Sequence, residues 1–497
     1  MHKSFLLEEK NSYKIVPKEE SNKLIIFFSG TDKKDGRFDF YKVGQTVDAN
    51  VMFVNNGINA WYQNGIPDLG KTLDETINSI YKIMKELNIT EVFTSGVSMG
   101  GYGAVLFAAK LQCNCLAFGF DSLLRVEGSR SFKRMPKRIK MIYPDLLPLL
   151  KKSKAFCNIY AGEIDVMDLY GATRIMHLAN VNVRLLRGVG HGTAPFLEEE
   201  FGLTNIINLF LNGIPIPHSK YESNLLKDKD SVKQLLFAFQ ALNKDEIDKA
   251  KKHAFAAKAL VPTAEAIDYI IGLIYEKKLV YKDAYKYFSV VTHKVPHLIG
   301  AQHKLAISLR KMGDNIASIS AYRKLLEMKP DSALGMFWLS KMLFAFDEVE
   351  ESLSLMSQAV KIKPDNKVFG DFYKIVKKTK EDREVVSTKF TYLNKFSLQN
   401  NPSGSVHGFL WFFPWKIDKT PLTPTHIYIN FIDKTKTFKG ISTQLDIGIY
   451  EVFNLSFNIE KGWYKLELFE KNNLVKKSIF KSIIAKDTVS FKLLTII

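Results

Sequence analysis

The stretch Glu91-Val92-Phe93-Thr94-Ser95-Gly96-Val97-Ser98-Met99-Gly100-Gly101-Tyr102-Gly103-Ala104 decides the reading of the N-terminal part of the chain. An apolar run ends at Ser95, a turn follows, and a helical segment opens near Gly101. Within it, Gly96 to Gly100 fits G-x-S-x-G. In that pattern a serine sits on a tight, strained strand-to-helix turn, and the flanking glycines make room for the backbone. The hydroxyl of Ser98 then projects from the sheet above a helix N-terminus, whose dipole favours a developing negative charge. The alternative is a glycine-rich turn carrying a solvated serine; strand, turn and helix in succession argue against it.

Working outward, apolar runs Leu24–Phe28, Val51–Asn55, Glu91–Gly96, Cys115–Phe120, Phe156–Ala161 and Val183–Leu186 alternate with helical segments, clearest over Leu73–Leu87 and Tyr102–Leu111. Short buried runs separated by helices predict a mostly parallel sheet with helices on both faces. Ligand sites in such sheets lie beyond the carboxyl ends of the strands. An elbow serine needs a base and an orienting acid, which follow in chain order acid, then histidine. Gly162-Glu163-Ile164-Asp165 follows one strand and Gly188-Val189-Gly190-His191-Gly192 follows the next. The expected triad is therefore Ser98, Asp165 and His191. Asp168 is the second choice of acid, since the loop could turn either carboxylate inward, and Glu163 the third. His177 falls in a helical stretch and reads as a surface residue.

For the oxyanion, the Met99 amide is one expected donor. The turn Ser29-Gly30-Thr31 supplies the other, with Thr31 nominated and Gly30 beside it. Trp61 and Tyr62 follow the next strand and are candidates to stack on a sugar or line an acyl pocket, with core packing the alternative for Trp61. Between Asp121 and Lys154 stand ten basic residues against three acids. A basic insertion over Ser98, with Arg130, Arg134 and Arg138 foremost, would bind an anionic substrate; a solvated helix would look the same in sequence. There is no metal-ligand cluster, phosphate-binding loop or dinucleotide fingerprint, so no metal is expected.

With these residues in view, residues 1–214 resemble the α/β-hydrolase superfamily, and the run Gly96–Ala104 resembles the branch of bacterial surface-polysaccharide O-acetyltransferases. The resemblance implies acyl transfer through an acyl-enzyme, acetyl-CoA as a candidate acyl donor with no resident cofactor, and an anionic glycan or acyl-ester substrate. The sequence departs from the superfamily's usual His-Gly oxyanion loop, having Ser29-Gly30 in its place.

A second region repeats itself. Pro262, Pro296, Pro330 and Pro364 are spaced 34 residues apart. In the same register run three further columns: Ala250, Ala284, Ser318 and Ser352; Ala238, Gly272, Ala306 and Ser340; and Ala254, Phe288, Tyr322 and Met356. Antiparallel helices approach closely only where side chains are small, and proline ends the second helix of each pair. Four such units over 231–366, within a region 215–388, resemble tetratricopeptide repeats and predict a solenoid with a groove for a protein partner. From 389 to 497, alternating apolar and polar residues, with a turn at Glu470-Lys471-Asn472-Asn473, predict a small β-sandwich. The expectation is thus a multidomain chain of three parts.

The formal net charge is +18. It predicts attraction to something anionic, although scattered lysines also serve solubility, and no nucleic-acid partner is expected. Three cysteines, Cys113, Cys115 and Cys157, suit a reducing compartment. Residues 1–20 hold no apolar core of a secretory signal, and nothing approaches the roughly 20 apolar residues of a transmembrane segment. A cytoplasmic location is expected. Two other functions remain open: a simple carboxylesterase, and a repeat scaffold carrying an accessory hydrolase-fold module.

Overall fold

The computed structural model describes residues 10–389 apart from 347, with side chains through 381, and eight strand segments between 396 and 496. The chain divides into two compact units, Met1–Met312 and Gly313–Ile497.

The first unit is built on an eight-stranded sheet: β1 Tyr13–Val16, β2 Lys23–Phe28, β3 Asn50–Val54, β4 Glu91–Val97, β5 Asn114–Phe118, β6 Cys157–Gly162, β7 Val181–Leu186 and β8 Glu222–Ser223. The spatial order is β1-β3-β2-β4-β5-β6-β7-β8. Strands β2 to β7 pair in parallel, and the edge strands β1 and β8 run antiparallel to β3 and β7. Period-2 geometry sends alternate side chains to opposite faces. Leu24, Ile26 and Phe28 join one core with Met52 and Val54, while Ile25 and Phe27 join another with Val51 and Phe53. Both faces are therefore buried, which is why the strands read as continuous apolar runs.

Helix α1 is Tyr41–Gly44, and α2 (Leu73–Glu86), α3 (Met99–Leu111), α4 (Arg130–Arg134) and α5 (Leu147–Lys151) follow in the chain. Next come α6 (Val166–Ile175), α7 (Thr193–Phe201) and α8 (Leu203–Leu211). Side chains of α2, α3 and α5 fill one core and those of α7 and α8 the other. Helix α6 belongs to neither alone: Val166, Met167, Leu169 and Ala172 share a third core with residues of α9 (Lys229–Asn243), α10 (Ile247–Leu260) and α11 (Glu265–Lys277). The change from strand-helix alternation to repeats near 214 is therefore not a packing boundary. The unit continues through α12 (Tyr281–Lys294) and α13 (Ile299–Met312).

The repeat columns mark the helix crossings. Ala238 and Ala250 are fully buried between α9 and α10. A methyl group added to Gly272 would lie 2.6 Å from the Phe288 ring. In the second unit, helices α14 (Asn315–Met328), α15 (Ala333–Ala345), α16 (Val349–Ile362) and α17 (Lys367–Lys389) continue the pattern. There Ser340 and Ser352 touch hydroxyl to hydroxyl at 2.8 Å. Each repeat proline falls two residues beyond the end of α10, α12, α14 or α16.

The eight C-terminal strands correct the sandwich expectation. Strands β9 (Phe396–Asn400), β10 (Val406–Trp411), β11 (His426–Phe431), β12 (Lys436–Leu445), β13 (Ile449–Leu455), β14 (Trp463–Glu470), β15 (Asn473–Ala485) and β16 (Thr488–Ile496) form one closed antiparallel barrel. Alternation along each strand cannot tell a barrel from a sandwich. What closes the sheet is β9, which pairs with both β10 and β16 and so removes the free edges.

If the small-residue columns are crossing points, Ala250→Leu should cost about 1–3 kcal/mol by overpacking. Lys252→Leu, two residues away on the exposed side of α10, should change stability by less than about 0.5 kcal/mol. Chemical unfolding of the two variants measures the difference, and equal losses would contradict the assignment.

Candidate active site

The site is assembled where β4, β5, β6 and β7 end. Ser98 occupies the turn between β4 and α3 with φ 59° and ψ −124°, a positive φ that is strained for a residue with a Cβ. Neighbouring contacts enforce it. The Ser98 amide donates to the carbonyls of Phe118 and Gly119, both at 3.0 Å. A methyl group at Gly96 would lie 2.3 Å from the Gly100 carbonyl oxygen, and one at Gly100 would lie 2.0 Å from the Phe28 carbonyl oxygen. Both glycines of the motif thus exist for close backbone approach. Ser98 is half-buried. As the first residue of α3, Met99 has an amide with no intrahelical acceptor.

His191, in the loop after β7, bonds through Nδ1 to Oδ2 of Asp168 at 2.6 Å. The acid facing the histidine is therefore Asp168 and not Asp165. Asp165 is the N-cap of α6, where its carboxylate accepts the amides of Met167 and Asp168, each at 3.1 Å. Capping is what a short acidic side chain does at a helix start, and it commits Asp165 away from the imidazole. Asp168, three residues further along, reaches the histidine. Glu163 is buried on another side, and burial raises its carboxyl despite a hydrogen bond from Ser223. His177 is exposed, as expected.

Gly119, which the sequence reading passed over, joins the two halves. Its carbonyl accepts the Ser98 amide, and a methyl group placed on it would lie 2.7 Å from Asp168 Oδ2 and 3.2 Å from His191 Nδ1. The signal available was a glycine directly after a buried strand.

The electrostatics are those of crowded carboxylates. Burial, then the neighbouring Asp165 charge, push the Asp168 carboxyl up to about 6, against the opposing pull of His191 and Arg130. Burial alone would raise Asp165 too, but the Arg130 guanidinium overcomes this and holds it below the ordinary range. Asp121, just beyond β5, is raised by burial. One ligating atom from each of Asp165, Asp168 and His191 lies within 4.8 Å of the others, a spacing a cation could use. Arg130, bonded to both carboxylates, already supplies that positive charge.

Other expected residues lie elsewhere. The Gly30 amide donates to Asp39 Oδ2 at 2.8 Å, so it is not a spare oxyanion donor. Thr31 stays at the turn and accepts from Arg134 through its hydroxyl at 3.2 Å. Trp61 and Tyr62 are not exposed to a ligand: both are buried, at 1% and 0% accessibility. The Tyr62 hydroxyl donates to the Ser29 carbonyl at 2.8 Å, so this side chain supports the Ser29–Gly30 turn from behind. Apolar bulk wins over surface placement because the loop after β3 folds inward against α3. The basic segment is also largely self-satisfied. Arg134 pairs with Asp32, Arg125 donates to the carbonyls of Pro136, Lys137 and Ile139, and Arg130 meets Asp165 and Asp168. Arg138 is exposed, with Lys133, Lys137 and Lys140.

No family model matches the chain, and no curated protein does. Solved structures do show likeness to parts of it. MamA residues 41–end from Desulfovibrio magneticus RS-1 is 14% identical, covering 33% of this chain and 93% of its own, with a TM-score of 0.30. A MamA RS-1 double mutant gives 15%, 33%, 92% and 0.30. MamA AMB-1 gives 16%, 28%, 76% and 0.26. Scores this low carry no functional argument.

The raised Asp168 carboxyl has a measurable consequence. It titrates near 6 in the folded chain and at about 3.9 unfolded, so the folded state binds this proton more tightly. The stability it contributes is present below about pH 4 and is lost as pH rises towards 6. Asp168→Asn, which does not titrate, should flatten the fall in unfolding free energy across that window. Identical slopes for the variant and the unsubstituted protein, read from urea unfolding at several pH values, would contradict the assignment.

Proposed function

We propose that the chain is a serine-dependent acyl-transfer enzyme in which Ser98 is the nucleophile, His191 the base and Asp168 the orienting acid. One observation carries this reading: the His191–Asp168 pair at 2.6 Å meets the strained Ser98 turn across Gly119. His191 takes the Ser98 proton as the hydroxyl attacks an ester carbonyl, then returns it to the leaving group. The Met99 amide, at the N-terminus of α3, stabilises the tetrahedral oxyanion, with Thr31 as the second donor. Water resolving the acyl-enzyme makes the protein an esterase; a sugar hydroxyl makes it an O-acyltransferase. We favour transfer to a surface polysaccharide, with acetyl-CoA as a candidate donor. Two features support that choice: the resemblance of Gly96–Ala104, and the exposed Lys133, Lys137, Arg138 and Lys140 on the segment beside the site.

A fluorophosphonate probe should label Ser98 and fail to label Ser98→Ala. Turnover of activated esters should fall by about 10³–10⁴-fold in Asp168→Asn, through loss of the correct imidazole tautomer. Asp165→Asn should cost roughly tenfold or less, since it loses a cap. Undiminished turnover by Ser98→Ala would refute the reading.

A second reading, partner binding by the repeats, has its own observation. Phe237, Gln240, Ala241, Lys244, Lys249 and His253 line a pocket on α9 and α10, and helical arrays bind partners on such faces. Under this reading a co-purifying protein is retained by Ser98→Ala and lost from Phe237→Glu. Retention by both variants would count against it.

A further inference from the structure

We propose that Arg130 is a positioning residue that keeps Asp168 ionised and turned towards His191, by offsetting the charge of Asp165. The activity readouts of this proposal rest on the acyl-transfer reading above; the geometry does not. Arg130 Nη2 lies 2.6 Å from Asp165 Oδ2, and Nη1 lies 3.4 Å from Asp165 Oδ1 and 3.3 Å from Asp168 Oδ1. The other oxygen of Asp168 is the one on His191. The two oxygens of Asp168 are thus divided between a fixed cation and the imidazole, and the carboxylate plane has little freedom to turn.

The arginine itself is held. It opens α4, whose N-cap is Ser129, and the amide of its neighbour Ser131 donates to Asp121 Oδ2 at 2.9 Å. The charged groups facing Asp168 are Asp165, the cap of its own helix, Arg130 from α4 and His191 from the loop after β7, and Asp121 from the segment after β5 lies near Arg130 and Asp165. Three buried or half-buried carboxylates therefore share one permanent cation and one imidazole.

Two carboxylates this close cannot both stay ionised in a dry site without a compensating charge, and one would take up a proton. A protonated Asp168 would no longer stabilise an imidazolium at His191. A guanidinium suits the place because its planar fork reaches two carboxylates at once, which a lysine ammonium does less well.

The test uses the full chain. The pH dependence of fluorophosphonate labelling at Ser98 gives an acid limb. The His191 resonance, assigned by its loss in His191→Gln, gives a titration midpoint that needs no activity. Without the cation Asp168 takes up a proton more readily, so in Arg130→Gln the acid limb of labelling should move upward by about one pH unit, while the His191 midpoint should fall because a neutral Asp168 no longer stabilises the imidazolium. Arg130→Lys should fall between. A purely structural tie between α4 and α6 would lower the melting temperature and leave both midpoints in place, and that result overturns the proposal.

Should Arg130→Gln fail to fold because buried carboxylates are left unpaired, Asp165→Asn can be compared with the double variant Arg130→Gln/Asp165→Asn. With the Asp165 charge gone only the direct Arg130–Asp168 bond is left to lose, so shifts clearly smaller than about one pH unit in the double variant support the proposal; unchanged midpoints or full-sized shifts reject it. Absence of labelling in the unsubstituted protein would refute acyl transfer, and the His191 titration would then decide the role of Arg130.

Discussion

The first unit depends on how closely the start of α3 approaches β2 and β4. Gly100 lies against the Phe28 carbonyl and Gly96 against that of Gly100, with no room for a side-chain carbon at either position. That approach forces Ser98 to a positive φ and aims its amide at the end of β5. The cost of a positive φ outside glycine, of order 1–3 kcal/mol, is borne by the packing around it. The helix end and strand ends cannot relax independently, so a small local strain fixes a geometry spanning four strands.

Charge organises the other half of the site. Asp121, Asp165 and Asp168 converge below the ends of β5 and β6, and burial alone would drive all three towards the neutral acid. Arg130 redistributes the outcome: Asp165 becomes the better-stabilised anion, and Asp168 is left near the range in which a histidine also titrates. The segment that carries Arg130 is anchored in turn by the repeats. Lys244, the C-cap of α9, pairs with Glu127 at 2.8 Å, and Gln240 of α9 donates to the Glu127 carbonyl at 3.0 Å. The first repeat helix thus contacts the segment that carries the arginine.

This explains why the repeats are not an appendage. Helix α6, which bears both Asp165 and Asp168, buries its outer face in a core made with α9, α10 and α11. A second link joins Arg187, beyond β7, to Glu265 of α11 by a bidentate ion pair at 2.6 and 3.2 Å. His297 adds a hydrogen bond to the Arg187 carbonyl at 2.8 Å. The loop bearing His191 starts directly after Arg187.

Local pattern and spacing were enough to read much of this from the sequence. The alternating sheet, the Ser98 turn, the histidine after β7 and the repeat columns all follow from periodicity or from glycine, proline and small residues at fixed offsets. These signals are local because they arise from backbone sterics within a turn or a helix pair. Tertiary structure alone decided which acid faces His191, because Asp165 and Asp168 differ by less than one helical turn and only the start of α6 makes one a cap and the other a partner. It also decided that Trp61 and Tyr62 are buried, that Gly30 is spoken for by Asp39, and that Arg130 belongs to the carboxylates. In the C-terminal strands, alternation could not announce closure, which requires β9 to pair with β16 at the other end of the region as well as with neighbouring β10. Each of these outcomes depends on what a side chain or strand edge finds across the fold, and nothing within a few residues of it in the chain encodes that partner.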